Sequence, residues 1–156
     1  DIVVGVRCEE RRTDKLNICT DKNEDPSMWN GDCIEVLLET QSHSYYQIAI
    51  NPAGASIDLD RALGLNADWS SSAKVACHID KGYWSAEIRI PIVGEAQKVL
   101  NPNYGVAGRM PSATYPWYLN VCRQRVRPDE TEFSAFSPTG VLSFHVLEKF
   151  GKLDVR

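Results

Sequence analysis

The side chains with the most to offer chemically gather around MWNGDCIEVLLET, residues 28–40. Trp29 stands beside an Asn-Gly turn, and Glu35 and Glu39 follow on alternate residues of an apolar run. A tryptophan ring stacks on the C–H face of a sugar, and carboxylates and side-chain amides each bond more than one hydroxyl. Gln47 and Asn51, in YYQIAIN (45–51), supply two such amides. The same residues also admit a structural reading, with Trp29 in a core and the rest on an ordinary polar sheet face. Glu35 and Glu39 form a carboxylate pair of the kind that cuts glycosidic bonds, but two acids on one strand face are more often simply solvated. His43, His78 and His145 are scattered, in no nucleophile elbow or HExxH frame, and there is no glycine-rich phosphate loop. The pattern favours binding over catalysis.

Acids crowd the first long loop: Glu9, Glu10, Asp14, Asp21, Glu24 and Asp25, then Asp32. Hard oxygen ligands on irregular backbone suit calcium, although the spacing matches no EF-hand loop and a solvated acidic surface has the same composition. The five cysteines, Cys8, Cys19, Cys33, Cys77 and Cys122, follow no zinc spacing. Their odd number leaves at least one thiol unpaired within the chain. Buried free thiols and one buried disulfide both remain open.

The elements that must position these groups alternate with period two. IVVGVRC (2–8) is apolar on both faces and reads as a central strand. In CIEVLLET (33–40), Ile34, Val36 and Leu38 point one way and Glu35, Leu37 and Glu39 the other. In YYQIAIN, Tyr46, Ile48 and Ile50 point inward, leaving Tyr45, Gln47, Ala49 and Asn51 outward; the QSHS link makes the two an antiparallel hairpin. KVACHID (74–80), a Lys81-Gly82 turn and YWSAEIRIPI (83–92) predict a second hairpin, with Trp84, Ala86, Ile88 and Ile90 in one stripe. WYLNVCRQR (117–125) and GKLDVR (151–156) add strands. Short helices are expected at 58–65 and 93–100, and long irregular segments at 9–31 and 101–116. The sum is an all-β antiparallel β-sandwich with long loops, one domain over 1–156.

The totals agree. The chain has 43% hydrophobic and 24% charged residues and a net charge of -4, so no basic footprint invites nucleic acid. No apolar run reaches the roughly 20 residues that cross a bilayer, so no membrane partner is expected.

In chain order, IVVGVRCEE, WNGDCIEVLLE, YYQIAINPAG, GYWSAEIRIPI, YLNVCRQR, FSAFSP and FHVLEKFGKL resemble the family 9 carbohydrate-binding modules and their wider relatives. The resemblance spans nearly the whole chain and rests on the ordered set, above all W-N-x-D-x-I-E-V followed by K-F-G-K-L. It implies a jelly-roll or immunoglobulin-like sandwich that binds carbohydrate without catalysis, within a larger glycan-processing protein. A covalently linked catalytic domain and an extracellular or periplasmic setting go with it. Family members begin with a segment carrying D-G-x-x-D-x-x-W, so the resemblance also implies a domain that lacks its N-terminal segment here. By position, Trp29 matches the first of two tryptophans that clamp a terminal sugar, Glu35 the acid that bonds its hydroxyls, and Gln47 and Asn51 polar positions beside it. Phe144 falls where the second clamp tryptophan would stand and Ala49 where a sugar-binding arginine would. Structural calcium is implied at Glu9 and Asp32. Trp84 matches a core position, and Trp69 and Trp117 receive no role.

Two alternatives from other classes follow. Related sandwiches hold haem through Met and His or Lys, which would draw on Met28, Met110, His78 and His145. A purely structural module would pack its Trp29 face against a neighbouring domain.

Overall fold

Alternation becomes pairing as soon as the strands are followed in space. In this computed structural model, which describes residues 1–40, 44–63 and 68–154, two antiparallel sheets face each other. The smaller has three strands in the order β1 (Ile2–Glu9), β6 (Tyr83–Ile90), β5 (Lys74–Asp80). The larger runs β10 (Glu130–Ala135), β9 (Trp117–Arg127), β2 (Cys33–Glu39), β3 (Tyr46–Ile50), β4 (Ser56–Asp60), with β11 (Gly151–Leu153) also paired to β9. A short parallel pair, β7 (Ile92–Val93) with β8 (Val106–Ala107), flanks the only α-helix among the described residues, α1 (Glu95–Leu100).

The core lies between the sheets. Ile34, Val36 and Leu38 of β2 and Tyr46, Ile48 and Ile50 of β3 meet Trp84, Ala86, Ile88 and Ile90 of β6. Trp84 is core, as its stripe predicts. Trp69 and Trp117 join it: Trp69 stacks on Tyr46 at 5.0 Å and its indole N–H donates to the Gly105 carbonyl at 3.2 Å.

The structure corrects three sequence expectations. IVVGVRC is an edge strand, not a central one: among the described residues β1 pairs only with β6, its inward residues join the core, and Val3 is 61% exposed. Residues 58–65 were expected to be helical, but 56–60 form β4, paired with β3, before a 3₁₀ turn at 61–63; residues 64–65 lie outside the described residues. Ile57 and Leu59 alternate with Asp58 and Asp60, so pairing won over a weak helical spacing. The largest difference concerns the polar side of β2 and β3, which is covered rather than solvated. Unlike these, β10 escaped the sequence reading altogether, because an exposed edge strand needs no apolar alternation. The QSHS link and His43 lie at 41–44, where residues 41–43 fall outside the described residues.

Candidate functional site

Cys33, Glu35 and Leu37 leave β2 on the face turned away from the core, in register with Ala49 and Gln47 of β3 and with Gln124, Cys122 and Asn120 of β9. Two separate segments cover this outer face. The first is a 3₁₀ turn, Pro26–Asn30, whose N-cap Asp25 accepts from the Ser27 amide at 3.0 Å and the Thr20 hydroxyl at 2.7 Å. It packs Met28 and Trp29 against Cys33, Ala49, Ala55 and Ile57. Gln124 fastens it by donating to the carbonyls of Trp29 and Gly31, both at 2.9 Å. The second packs Phe144, Leu147 and Phe150 over Leu37, Tyr45 and Cys122.

Glu35 sits on β2 between these two coverings, one position from Cys33 and one from Leu37 along the outer face. It is 5% exposed and accepts a hydrogen bond from Gln47 Nε2 at 2.8 Å. Burial pushes its carboxyl up to about 7, against the opposing pulls of the Gln47 hydrogen bond and the Arg61 charge. Gln47 Oε1 is buried and has no hydrogen-bond partner among the described residues, an arrangement that natural interiors rarely tolerate unless a water or ligand answers it. Phe133 of β10 meets Phe144 edge to face at 5.6 Å. Beside that pair an open groove of about 480 Å³ is lined by Phe133, Ser134, Ala135, Thr139, Leu142 and Phe144.

The structure thus brings Trp29, Glu35, Gln47 and Phe144 to one sheet face. Asn51 is committed elsewhere: its Nδ2 donates to the Thr20 carbonyl at 2.7 Å, and its Oδ1 accepts from the amides of Ala53 and Ala55 at 3.0 and 3.1 Å. Both polar atoms of that side chain are committed, the amide nitrogen to the first loop and the oxygen to the turn after β3. Glu39 is only partly buried on the same face as Glu35. Sequence reasoning missed Phe133 and Gln124; the parity of Gln124 with Cys122 on β9 was the signal that would have placed it.

The implied calcium does not fit its donors. Glu9 lies at the surface and pairs with Arg7 at 2.7 Å. Asp32 is buried, but both its oxygens are 2.8 Å from Arg127 Nη1, and they also accept from the amides of Val126 at 2.7 Å and Asn17 at 3.2 Å. The buried acid next door is Glu10, bonded by Arg125 and Arg127 with Arg123 at 3.6 Å. Burial opposes its ionisation, but the Arg125 hydrogen bond, the Arg12 amide and the charges of Arg127 and Arg125 outweigh that and hold its carboxyl at about 2. Three guanidinium groups supply the positive charge a calcium ion would bring. Among the described residues no three His, Cys, Asp or Glu side chains are grouped to hold a metal.

The residues for the haem alternative stand apart. Met28 is in the first covering, Met110 is 81% exposed, His78 lies beside Asp80 and Tyr83, and His145 bonds the Tyr45 hydroxyl at 3.1 Å. All five cysteines are free thiols, with Cys8, Cys33 and Cys122 buried and Cys19 exposed.

No family model and no curated protein matches the chain. A solved structure does: a "putative carbohydrate-binding protein" of Bacteroides uniformis ATCC 8492, with a TM-score of 0.69 at 15% identity, over 96% of this chain and 71% of that one. The likeness is one of fold, an antiparallel β-sandwich. No helix among the described residues is long and apolar enough to cross a membrane.

Proposed function

We propose that this chain is a non-catalytic carbohydrate-binding domain, akin to the family 9 modules, in a larger glycan-processing protein of the extracellular space or periplasm. The observation that carries the reading is the outer face of the larger sheet, where Trp29 and Phe144 flank the Glu35–Gln47 pair. Half-buried Trp29 at the first covering and Phe133, 41% exposed beside the second, offer rings for stacking, and the groove beside Phe133 and Phe144 is open to a ligand. The unanswered Gln47 Oε1 is a buried acceptor that a sugar hydroxyl reaches only if a covering moves aside. The fold shared with the Bacteroides uniformis protein supports the same reading.

A glycan-array screen followed by calorimetry on the parent, Trp29→Ala and Phe133→Ala tests it. Loss of a stacking ring is expected to weaken binding by at least about tenfold. A folded parent that binds no glycan would defeat the proposal. That outcome would favour a second reading, a module that packs on a neighbouring protein domain, for which Val141 and Leu142 at 61% and 88% exposure beside the groove already speak.

A further inference from the structure

Access to the Glu35–Gln47 pair depends on what holds its two coverings, and they are held very differently. The first is sewn down by polar bonds. Gln124 donates to the Trp29 and Gly31 carbonyls, Asn17 Nδ2 to the Asn30 carbonyl at 3.1 Å, and the Glu24 amide, just ahead of the turn, to the Ser56 carbonyl at 2.9 Å. The second belongs to the connection between β10 and β11, where polar fastening is concentrated at the base. Asn120 clamps Ser137, accepting from its amide at 2.9 Å and donating to its carbonyl at 2.8 Å. Gly151 begins β11 opposite Leu119. Both ends of the connection are thus fixed to adjacent residues of β9, which is the closed base of an Ω-loop.

Between these points, residues 138–150 make no backbone hydrogen bond to a strand among the described residues. Their backbone bonds, such as Val146 to Phe144 and Phe150 to Leu147, stay within the loop. Two things keep the loop down. One is the apolar contact of Phe144, Leu147 and Phe150. The other is a polar latch: the exposed His145 places Nδ1 3.1 Å from the Tyr45 hydroxyl. Arg61 Nε donates to that hydroxyl at 3.0 Å, which leaves the hydroxyl hydrogen for the histidine. The open groove of about 480 Å³ already runs along the loop, past Thr139, Leu142 and Phe144.

What lies beneath the loop adjoins the buried pair. Cys122 stands opposite Glu35 in the β2–β9 register, and Leu37 stands opposite Gln47 in the β2–β3 register. Both are packed under Phe144, Leu147 and Phe150. We propose that residues 138–150 are a lid: the loop swings as a unit about Ser137 and Gly151, releases the His145–Tyr45 latch and bares Glu35 and Gln47 to a hydroxyl-bearing ligand. A segment tied only at its base opens at a fraction of the free energy of global unfolding. The ligand is the sugar proposed for this face, so the lid's purpose, though not its motion, rests on that reading.

The protein carries its own reporters for the test. Cys122 lies under the lid, Cys33 under the first covering and Cys8 in the core, all three buried free thiols. The folded protein is labelled with iodoacetamide, and peptide mass spectrometry reads each site's rate relative to its rate in urea-unfolded protein. Cys122 is expected to react at least about tenfold faster than Cys33 and Cys8. His145→Ala should speed Cys122 by roughly a further fivefold, the worth of one net hydrogen bond, and leave the other two unchanged. Equal relative rates at the three thiols would mean that only global unfolding uncovers the pair, and would overturn the proposal. So would a His145→Ala variant that leaves Cys122 unchanged or speeds all three alike. Labelling needs no sugar: a domain that bares Cys122 first yet binds no glycan would keep the lid and defeat the sugar reading alone.

Discussion

Glu35 shows how a single side chain can carry a liability in one pH range and none in another. Its carboxyl titrates near 7 because burial disfavours the charged form, whereas an unfolded glutamate titrates near 4.3. The folded state therefore holds a proton that the unfolded state has lost between those values. Its contribution is neutral below about pH 4, turns increasingly destabilising as pH rises from there to 7, and levels off above at up to about 4 kcal/mol for a shift of this size. Glu35→Gln keeps the shape and removes the charge, so urea melts should show it stabilised at pH 8 and unchanged at pH 4.5. Equal effects at both values would mean that the carboxyl is better solvated than its burial indicates. The neighbourhood that makes Glu35 unusual was not legible along the chain. Alternation on β2 gave its direction correctly, but the coverings come from residues 26–30 and 144–150, and nothing local announces that they fold over this face.

Among the elements, the clearest case is the join between the first loop and β9. Adjacent acids at Glu9 and Glu10 look equivalent in the sequence, and the resemblance favoured Glu9. Strand parity separates them: Glu9 ends β1 on its exposed side, and Glu10 turns inward under Arg123, Arg125 and Arg127 of β9. Those three arginines alternate on the core-side parity of β9, so a basic row on a half-buried strand was the readable sign that a carboxylate had to meet it. Glu10→Ala strips a buried ion cluster of its acid and should cost about 3 kcal/mol, whereas Glu9→Ala, at an exposed pair, should cost under about 1 kcal/mol. The cluster's low carboxyl value makes its stability present above about pH 4.5 and lost as pH falls through 2. With charge already balanced there, thermal melts in excess calcium and in EDTA should coincide. A calcium-dependent rise of more than about 3 °C, roughly 1 kcal/mol for a chain of this size, would restore the metal site. Gly31 makes a related point about loops. A Cβ at this position would collide with the Asn17 carbonyl, the group that receives the Asp32 amide at 2.8 Å. Gly31→Ala should therefore loosen the first covering.

For the molecule as a whole, the sandwich was legible because its central pairings announce themselves by period two. The β2–β3 and β5–β6 hairpins pair antiparallel as expected, and Trp84 lies where its stripe places it. What escaped was whatever depends on meetings between distant segments. Asp58 takes the Ser71 amide at 2.8 Å and its hydroxyl at 2.5 Å, which helps fix β4 as a strand. Phe144 finds Phe133 across a loop. Stability should be distributed accordingly. Amide exchange is expected to be slowest in β2, β3 and β9, which are paired on both sides, and fastest in the outward amides of β10 and β1.

The free thiols have a practical side as well. Cys19 is the exposed one, and its carbonyl receives the Ser27 hydroxyl at 3.5 Å, on the turn that carries Trp29. A maleimide dye would therefore attach beside the ring proposed to stack on sugar, with the three buried thiols shielded. The chain comes with its own position for a fluorescent reporter, and a sugar arriving at Trp29 would be watched from within a few residues.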